Sequence, residues 1–120
     1  MVEENWENRV WDMIYKLGKI EEAISYLNQI IRQQPRNDQA YAIKANALNQ
    51  LASDTRNWNY TLEAFKSADK VLQINPCNEI ALFNKAWSLV DLGEPRMALR
   101  YADKALEVNP RNVYAWYNKA

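Results

Sequence analysis

Glu21-Glu22, Cys77 and the cations Arg96, Arg100 and Lys104 are the side chains of this 120-residue sequence whose types and spacing could support chemistry. A carboxylate pair can exchange protons, a thiol can attack an electrophile, and a row of cations can hold phosphate. Each has a plainer role here. The two glutamates stand at a helix start, where negative charge favours the helix dipole. Cys77 sits between Pro76 and Asn78, a loop without the cationic or helix-end setting that activates a thiol. As the only cysteine it excludes an intramolecular disulfide. The three cations read as the wet face of one helix. Asn59-Tyr60-Thr61 fits the glycosylation acceptor pattern, which without a secretion signal is a chance match.

Histidine is absent from the sequence. That excludes a histidine general base, a histidine zinc ligand and every Ser/His or Cys/His arrangement. Neither a phosphate-cradling glycine loop nor a calcium loop occurs. The expectation is a chain that is not an enzyme and uses no metal, cofactor or small-molecule substrate.

Lys plus Arg and Asp plus Glu number 15 each, so the net positive charge that supplies affinity for nucleic acid is missing. Met1-Val2-Glu3-Glu4-Asn5-Trp6 has neither the basic start nor the apolar run of a secretory signal, and no apolar stretch approaches membrane-spanning length. A cytoplasmic setting is expected, with neither nucleic acid nor membrane as partner. With 48% apolar residues, 2 glycines and 4 prolines, the chain suits one continuous core and a single domain over residues 1–120.

What could position a binding surface is visible in three prolines. Pro35, Pro76 and Pro110 are each followed two residues later by an asparagine, Asn37, Asn78 and Asn112. Pro76 and Pro110 lie 34 residues apart, and Pro35 and Pro76 lie 41 apart, which is 34 plus an insertion of 7. A period of this size marks stacked supersecondary units. Other residues keep the same register: Ala40-Tyr41, Ala81-Leu82 and Ala115-Trp116, then Lys44-Ala45, Lys85-Ala86 and Lys119-Ala120.

Two helices per unit fit the spacing. Leu82, Ala86 and Leu89 recur at steps of four and three, as do Ala98, Tyr101, Ala102 and Ala105, so each helix has one apolar face. Gly18 and Gly93 suit the left-handed conformation that ends a helix, and each proline ends the one before it. The asparagine after each proline is an N-cap for the next helix. These signals predict helices near 3–17, 20–33, 38–53, 58–74, 79–92, 95–108 and 113–120. The 7 extra residues fall near 53–59. One added turn on each flanking helix absorbs them, as does a longer loop; Trp58 and Tyr60 favour the helices.

In these features the chain resembles the tetratricopeptide repeat family. Counting from the third residue after each proline, the unit from 79 has Leu82, Ala86, Leu89, Ala98, Ala105 and Pro110 at the family's positions 4, 8, 11, 20, 27 and 32. Leu17-Gly18-Lys19-Ile20-Glu21-Glu22-Ala23-Ile24 is similar to the family's turn into a second helix. The resemblance implies an all-α fold, a right-handed superhelical stack of antiparallel helix pairs with about three and a half repeats. Its units are about 4–37, 38–78, 79–112 and a partial 113–120. Three positions depart from the pattern: Lys85 replaces an aliphatic residue, Tyr101-Ala102 places the aromatic one residue early, and Trp11 replaces a small residue that lets the helices of a hairpin approach.

The resemblance also implies a concave face lined by positions 2, 5, 9 and 12 of each first helix. Those positions are Asn5, Asn8, Asp12 and Tyr15, then Gln39, Ala42, Asn46 and Asn49, then Ile80, Phe83, Trp87 and Val90, then Tyr114 and Tyr117. The face therefore turns from polar to aromatic along the chain, and residues 79–92 carry a second apolar stripe that requires a covering partner. The expected function is a protein–protein interaction module, a scaffold or adaptor, that takes a peptide segment of another protein. Phe83, Trp87, Tyr114 and Tyr117 would anchor it, Asn46, Asn49, Asn84 and Asn118 would bond its backbone, and Asn8, Asp12, Ile80 and Val90 complete the face. The family subset that clamps a terminal carboxylate has a lysine at position 5 and an asparagine at 9 of one unit, then cations at positions 2 and 6 two units on; here position 5 holds Asn8, Ala42 and Phe83, and the downstream positions hold Ile80, Asn84, Tyr114 and Asn118, so no preference for a free carboxylate is expected. The alternative is a structural homo-oligomer. Because Ala120 falls inside what resembles the first helix of a fourth unit, either the array continues or a homodimer covers the uncapped C-terminal end.

Overall fold

The computed structural model describes residue 2 and residues 4–111. Six helices follow in order: α1 (Trp6–Tyr15), α2 (Ile20–Gln33), α3 (Asp38–Thr55), α4 (Trp58–Ile74), α5 (Glu79–Asp91) and α6 (Pro95–Val108). Among the described residues there is no strand. The helix expected near 113–120 lies outside them.

The punctuation read from the sequence forms as expected. Asn37 Oδ1 accepts from the Ala40 amide and Asn78 Oδ1 from the Ala81 amide, each at 3.0 Å, which satisfies a first-turn donor in α3 and in α5. Gly18 and Gly93 take positive φ, 64° and 82°, at the turns between the two helices of their hairpins. The insertion lengthens helices: α3 has 18 residues and α4 has 17, against 13 in α5 and 14 in α6. Arg56 makes the turn between them with φ 57°, and Asn57 caps α4 through the Asn59 amide.

Each helix packs on its neighbour in the chain, and α3 also packs on α5. The first helices of successive hairpins thus lie side by side. Alanine makes this possible: Ala23, Ala40, Ala64, Ala68, Ala81, Ala86, Ala102 and Ala105 are fully buried, and a methyl group lets backbones approach closely. Leu82 and Leu89, 1% and 4% exposed, fill the space between.

Two departures from the repeat pattern explain each other. Lys85 pairs with Asp69 of α4, and its ammonium lies 4.3 Å from the centroid of the Tyr101 ring and 5.3 Å from that of Phe65. Burial would lower its pKa, but the hydrogen bonds and charges of Asp69 and Tyr101 outweigh burial and hold the ammonium above its ordinary value. Lysine at the aliphatic position and the aromatic placed one residue early are two halves of one contact. Ala102 then fills the vacated position, fully buried.

The third departure, Trp11, is accommodated by rotation of α1. Its buried face is Trp6, Val10 and Ile14, steps of four, so Trp11 is only partly buried and packs against the side of the core that α1, α2 and α3 share.

Candidate functional site

Tryptophan at position 11 turns out to matter for a surface. Its ring stacks on Tyr15 with centroids 5.9 Å apart and planes 18° apart. Together with Asp12 and Lys16 these two rings form one wall of a pocket of about 420 Å³. Asn46 of α3 contributes to the lining, and Glu79, Ile80 and Phe83 of α5 form the other wall. Residues of α1, α3 and α5 thus come together around one pocket.

The lining is apolar in the middle and polar at the rim. Trp11, Tyr15, Ile80 and Phe83 supply the apolar surface. Asp12 and Lys16 form an exposed i,i+4 ion pair at 3.5 Å, and Glu79 accepts from the Asn109 amide group at 3.3 Å. Asn46 donates to the Tyr15 hydroxyl at 2.6 Å. That bond ties the first hairpin to the second.

The apolar stripe continues along α5. Phe83, 6% exposed, and Trp87 lie with ring centroids 5.7 Å apart at 41°. Val90 is 45% exposed. Ile80 is half-buried and packs against the cores of both the first and the second hairpin. Ile80 and Phe83 thus serve repeat packing as well as the surface, while Trp87 and Val90 are the more accessible pair.

Asn49 and Asn84 are placed otherwise than expected. Both are fully buried. The Asn49 amide donates to the Asn84 backbone oxygen at 3.1 Å and to Asn84 Oδ1 at 3.2 Å, and Asn49 Oδ1 accepts from Ser88 Oγ at 3.0 Å. Asn84 in turn donates to the Ile80 carbonyl at 2.9 Å. Their hydrogen-bonding capacity is consumed in a ladder between α3 and α5, because position 12 of one first helix here faces the next first helix rather than the open side. Neither offers surface to a partner. Ala42, fully buried, is likewise absent from the face.

Asn8 is also separate. It is exposed and lines a different hollow with Asn5, Arg9, Met13, Leu17, Lys19 and Glu22, which Asp12 alone shares with the main pocket. Tyr114, Tyr117 and Asn118 lie outside the described residues. Trp11, Lys16 and Glu79 line the pocket without having been among the expected residues. The rotated buried face of α1 moved Trp11 and Lys16 there; a buried run at residues 6, 10 and 14 could have revealed it.

Asp91 closes the end of the stripe. Burial pushes the pKa of Asp91 above the usual value, against the opposing influence of the neighbouring Trp87 indole. One carboxylate oxygen of Asp91 is buried with no hydrogen-bond partner. The site has no cluster of His, Cys, Asp or Glu that could hold a metal among the described residues, and none of the helices is long and apolar enough to cross a membrane.

Comparison with known proteins agrees with the helical-repeat fold. A family model described as tetratricopeptide repeat matches residues 15–57 and 83–120. No curated protein matches the chain in sequence. Among solved structures, the second TPR domain of the human RPAP3 protein, determined by NMR in complex with the HSP70 peptide SGPTIEEVD, is similar with a TM-score of 0.75 and 20% identity. That match covers 96% of this chain and 89% of the other. MamA from Desulfovibrio magneticus RS-1 is similar with a TM-score of 0.73 and 22% identity, over 95% of this chain; the match spans 60% of the MamA chain.

Proposed function

This chain belongs to the tetratricopeptide repeat family, and from that premise we propose that it is a protein-interaction module whose concave face takes a peptide segment of another protein. The observation that carries the proposal is the pocket of about 420 Å³ between α1, α3 and α5, continued along α5 by Trp87 and Val90. It is too small for a folded domain and of a size to take one or two side chains of a docked segment. Its apolar middle supplies the affinity, since buried aromatic anchors dominate interface energetics. Its rim of Asp12, Lys16 and Glu79 fixes orientation. The similar domain of RPAP3 was solved with a peptide bound, which supports the same use of the fold here.

The polar ladder gives the face its rigidity. With Asn49, Asn84 and Ser88 locked between α3 and α5, the walls of the pocket do not need to be ordered when a segment docks, and less conformational entropy is lost on binding. The test is a titration, by isothermal calorimetry, of peptides selected for binding from a random display library. Trp87→Ala and Val90→Lys should abolish binding measurable with the wild type, and Trp58→Ala, 53% exposed on α4, should leave it unchanged. Equal affinity for wild type and both groove variants would remove the face from the function.

A further inference from the structure

Asp12, Lys16 and Glu79 line the pocket, and Asp91 follows Trp87 by about one turn of α5. Lys85, the remaining cation of α5, is turned the other way into the contact with Asp69, Phe65 and Tyr101. Lys16 is engaged with Asp12. Among the described residues Asp91 has no ion pair, and one of its carboxylate oxygens, removed from water, has no hydrogen-bond partner.

A half-buried carboxylate without a counter-cation weakens a fold, because desolvation is not offset. Its position beside a partly exposed indole is, however, what a cationic side chain needs. Lysine or arginine can lie on the indole face and reach toward the carboxylate, gaining a cation–π contact and a charge-assisted bond together.

The distance to the apolar pocket sets a spacing. Phe83 and Asp91 are eight residues apart on one helix, about 12 Å along its axis at about 1.5 Å per residue. An extended chain rises about 3.3 Å per residue and covers that distance in about four.

Resting on the groove reading above, we propose that the partner is an extended protein segment with an apolar side chain in the Phe83–Trp11 pocket and, about four residues away, a lysine or arginine on Trp87 and Asp91. Charge complementarity selects this occupant: an acidic segment would place a carboxylate against Asp91, where like charges repel.

The experiment uses a random twelve-residue peptide library displayed on phage and the full chain. Expected is enrichment of sequences that pair an apolar residue with Lys or Arg three to five residues away. A synthetic peptide of that consensus should bind the wild type and lose about tenfold in affinity on Asp91→Asn, the scale of one charge-assisted contact. The same peptide with glutamate in place of its cation should bind at least tenfold more weakly. Selection of acidic or uncharged sequences, or an affinity unaffected by Asp91→Asn, overturns this inference while leaving the groove reading in place, provided that Trp87→Ala still abolishes binding. Binders indifferent to Trp87→Ala overturn both.

Discussion

Replacing Asn49 by alanine separates a structural role from a binding one. The wild-type amide makes three hydrogen bonds in a fully buried setting, two to Asn84 and one from Ser88. Each is worth about 1 kcal/mol net, and a buried group left without a partner costs about 1–3 kcal/mol. Ser88 can relax toward the carbonyl of Asn84 that the substitution frees, so the loss should be about 3 kcal/mol rather than the sum of every penalty. Unfolding entropy is about 2.1 cal/mol/K per residue, which for 120 residues is about 0.25 kcal/mol/K. A loss of about 3 kcal/mol then lowers Tm by about 12 °C. Asn46→Ala removes one bond, to the half-exposed Tyr15, and should lower Tm by about 4 °C. Differential scanning calorimetry of both variants against the wild type measures the contrast, with peptide affinity of folded Asn49→Ala expected within about twofold of wild type. A melting point of Asn49→Ala within about 2 °C of wild type would refute the claim that this ladder holds successive repeats together.

Asp91→Asn should raise Tm at neutral pH. Burial places the pKa of Asp91 in the folded state above its unfolded value, so its protonated form supports the fold at low pH and that support disappears as pH rises through the folded pKa. The advantage of asparagine over aspartate should therefore be present at pH 7 and vanish below the ordinary aspartate value of 3.8, which thermal melts from pH 3 to pH 8 would show. Lys85→Met restores the aliphatic residue of the repeat pattern yet should destabilise by about 1–2 kcal/mol, because Asp69 and the rings of Phe65 and Tyr101 lose their cation; urea denaturation of Lys85→Met, Asp69→Asn and the double variant should give a coupling of about 1 kcal/mol.

Asp91 joins the two kinds of expectation. A substitution that stabilises the chain and weakens its binding is the pattern of a residue retained for function at a cost to the fold. Lys85 is the opposite case, since it departs from the repeat pattern and is compensated inside the fold by Tyr101 and Asp69.

The helices were legible to within a few residues because their signals are local. A proline, a glycine at positive φ and an asparagine cap each act over one turn, and the steps of three and four in Leu82, Ala86 and Leu89 report which face is buried without reference to any other helix. The two-turn insertion was legible for the same reason, since whole turns keep both buried faces in register. The face was less legible. Asp12, Ile80 and Phe83 were read from repeat numbering and line one pocket. Asn49 and Asn84 were read from the same numbering and lie inside, because a position between the open side and the neighbouring helix is decided by the angle at which helices pack. Trp11 was read as an obstacle to hairpin closure and instead became a wall of the pocket.

Sequence alone determined the six described helices, their punctuation and the register that divides each into a core face and a second face, for all of these depend on contacts within a unit. Tertiary structure decided which second-face residues meet water and which meet the next helix. It brought residues of α1, α3 and α5 around one pocket, turned Lys85 into its contact with Asp69 and Tyr101, and left Asp91 without an ion pair among the described residues. Those outcomes depend on rotations of helices about their axes, which a period of 34 residues does not encode and close packing of side chains does.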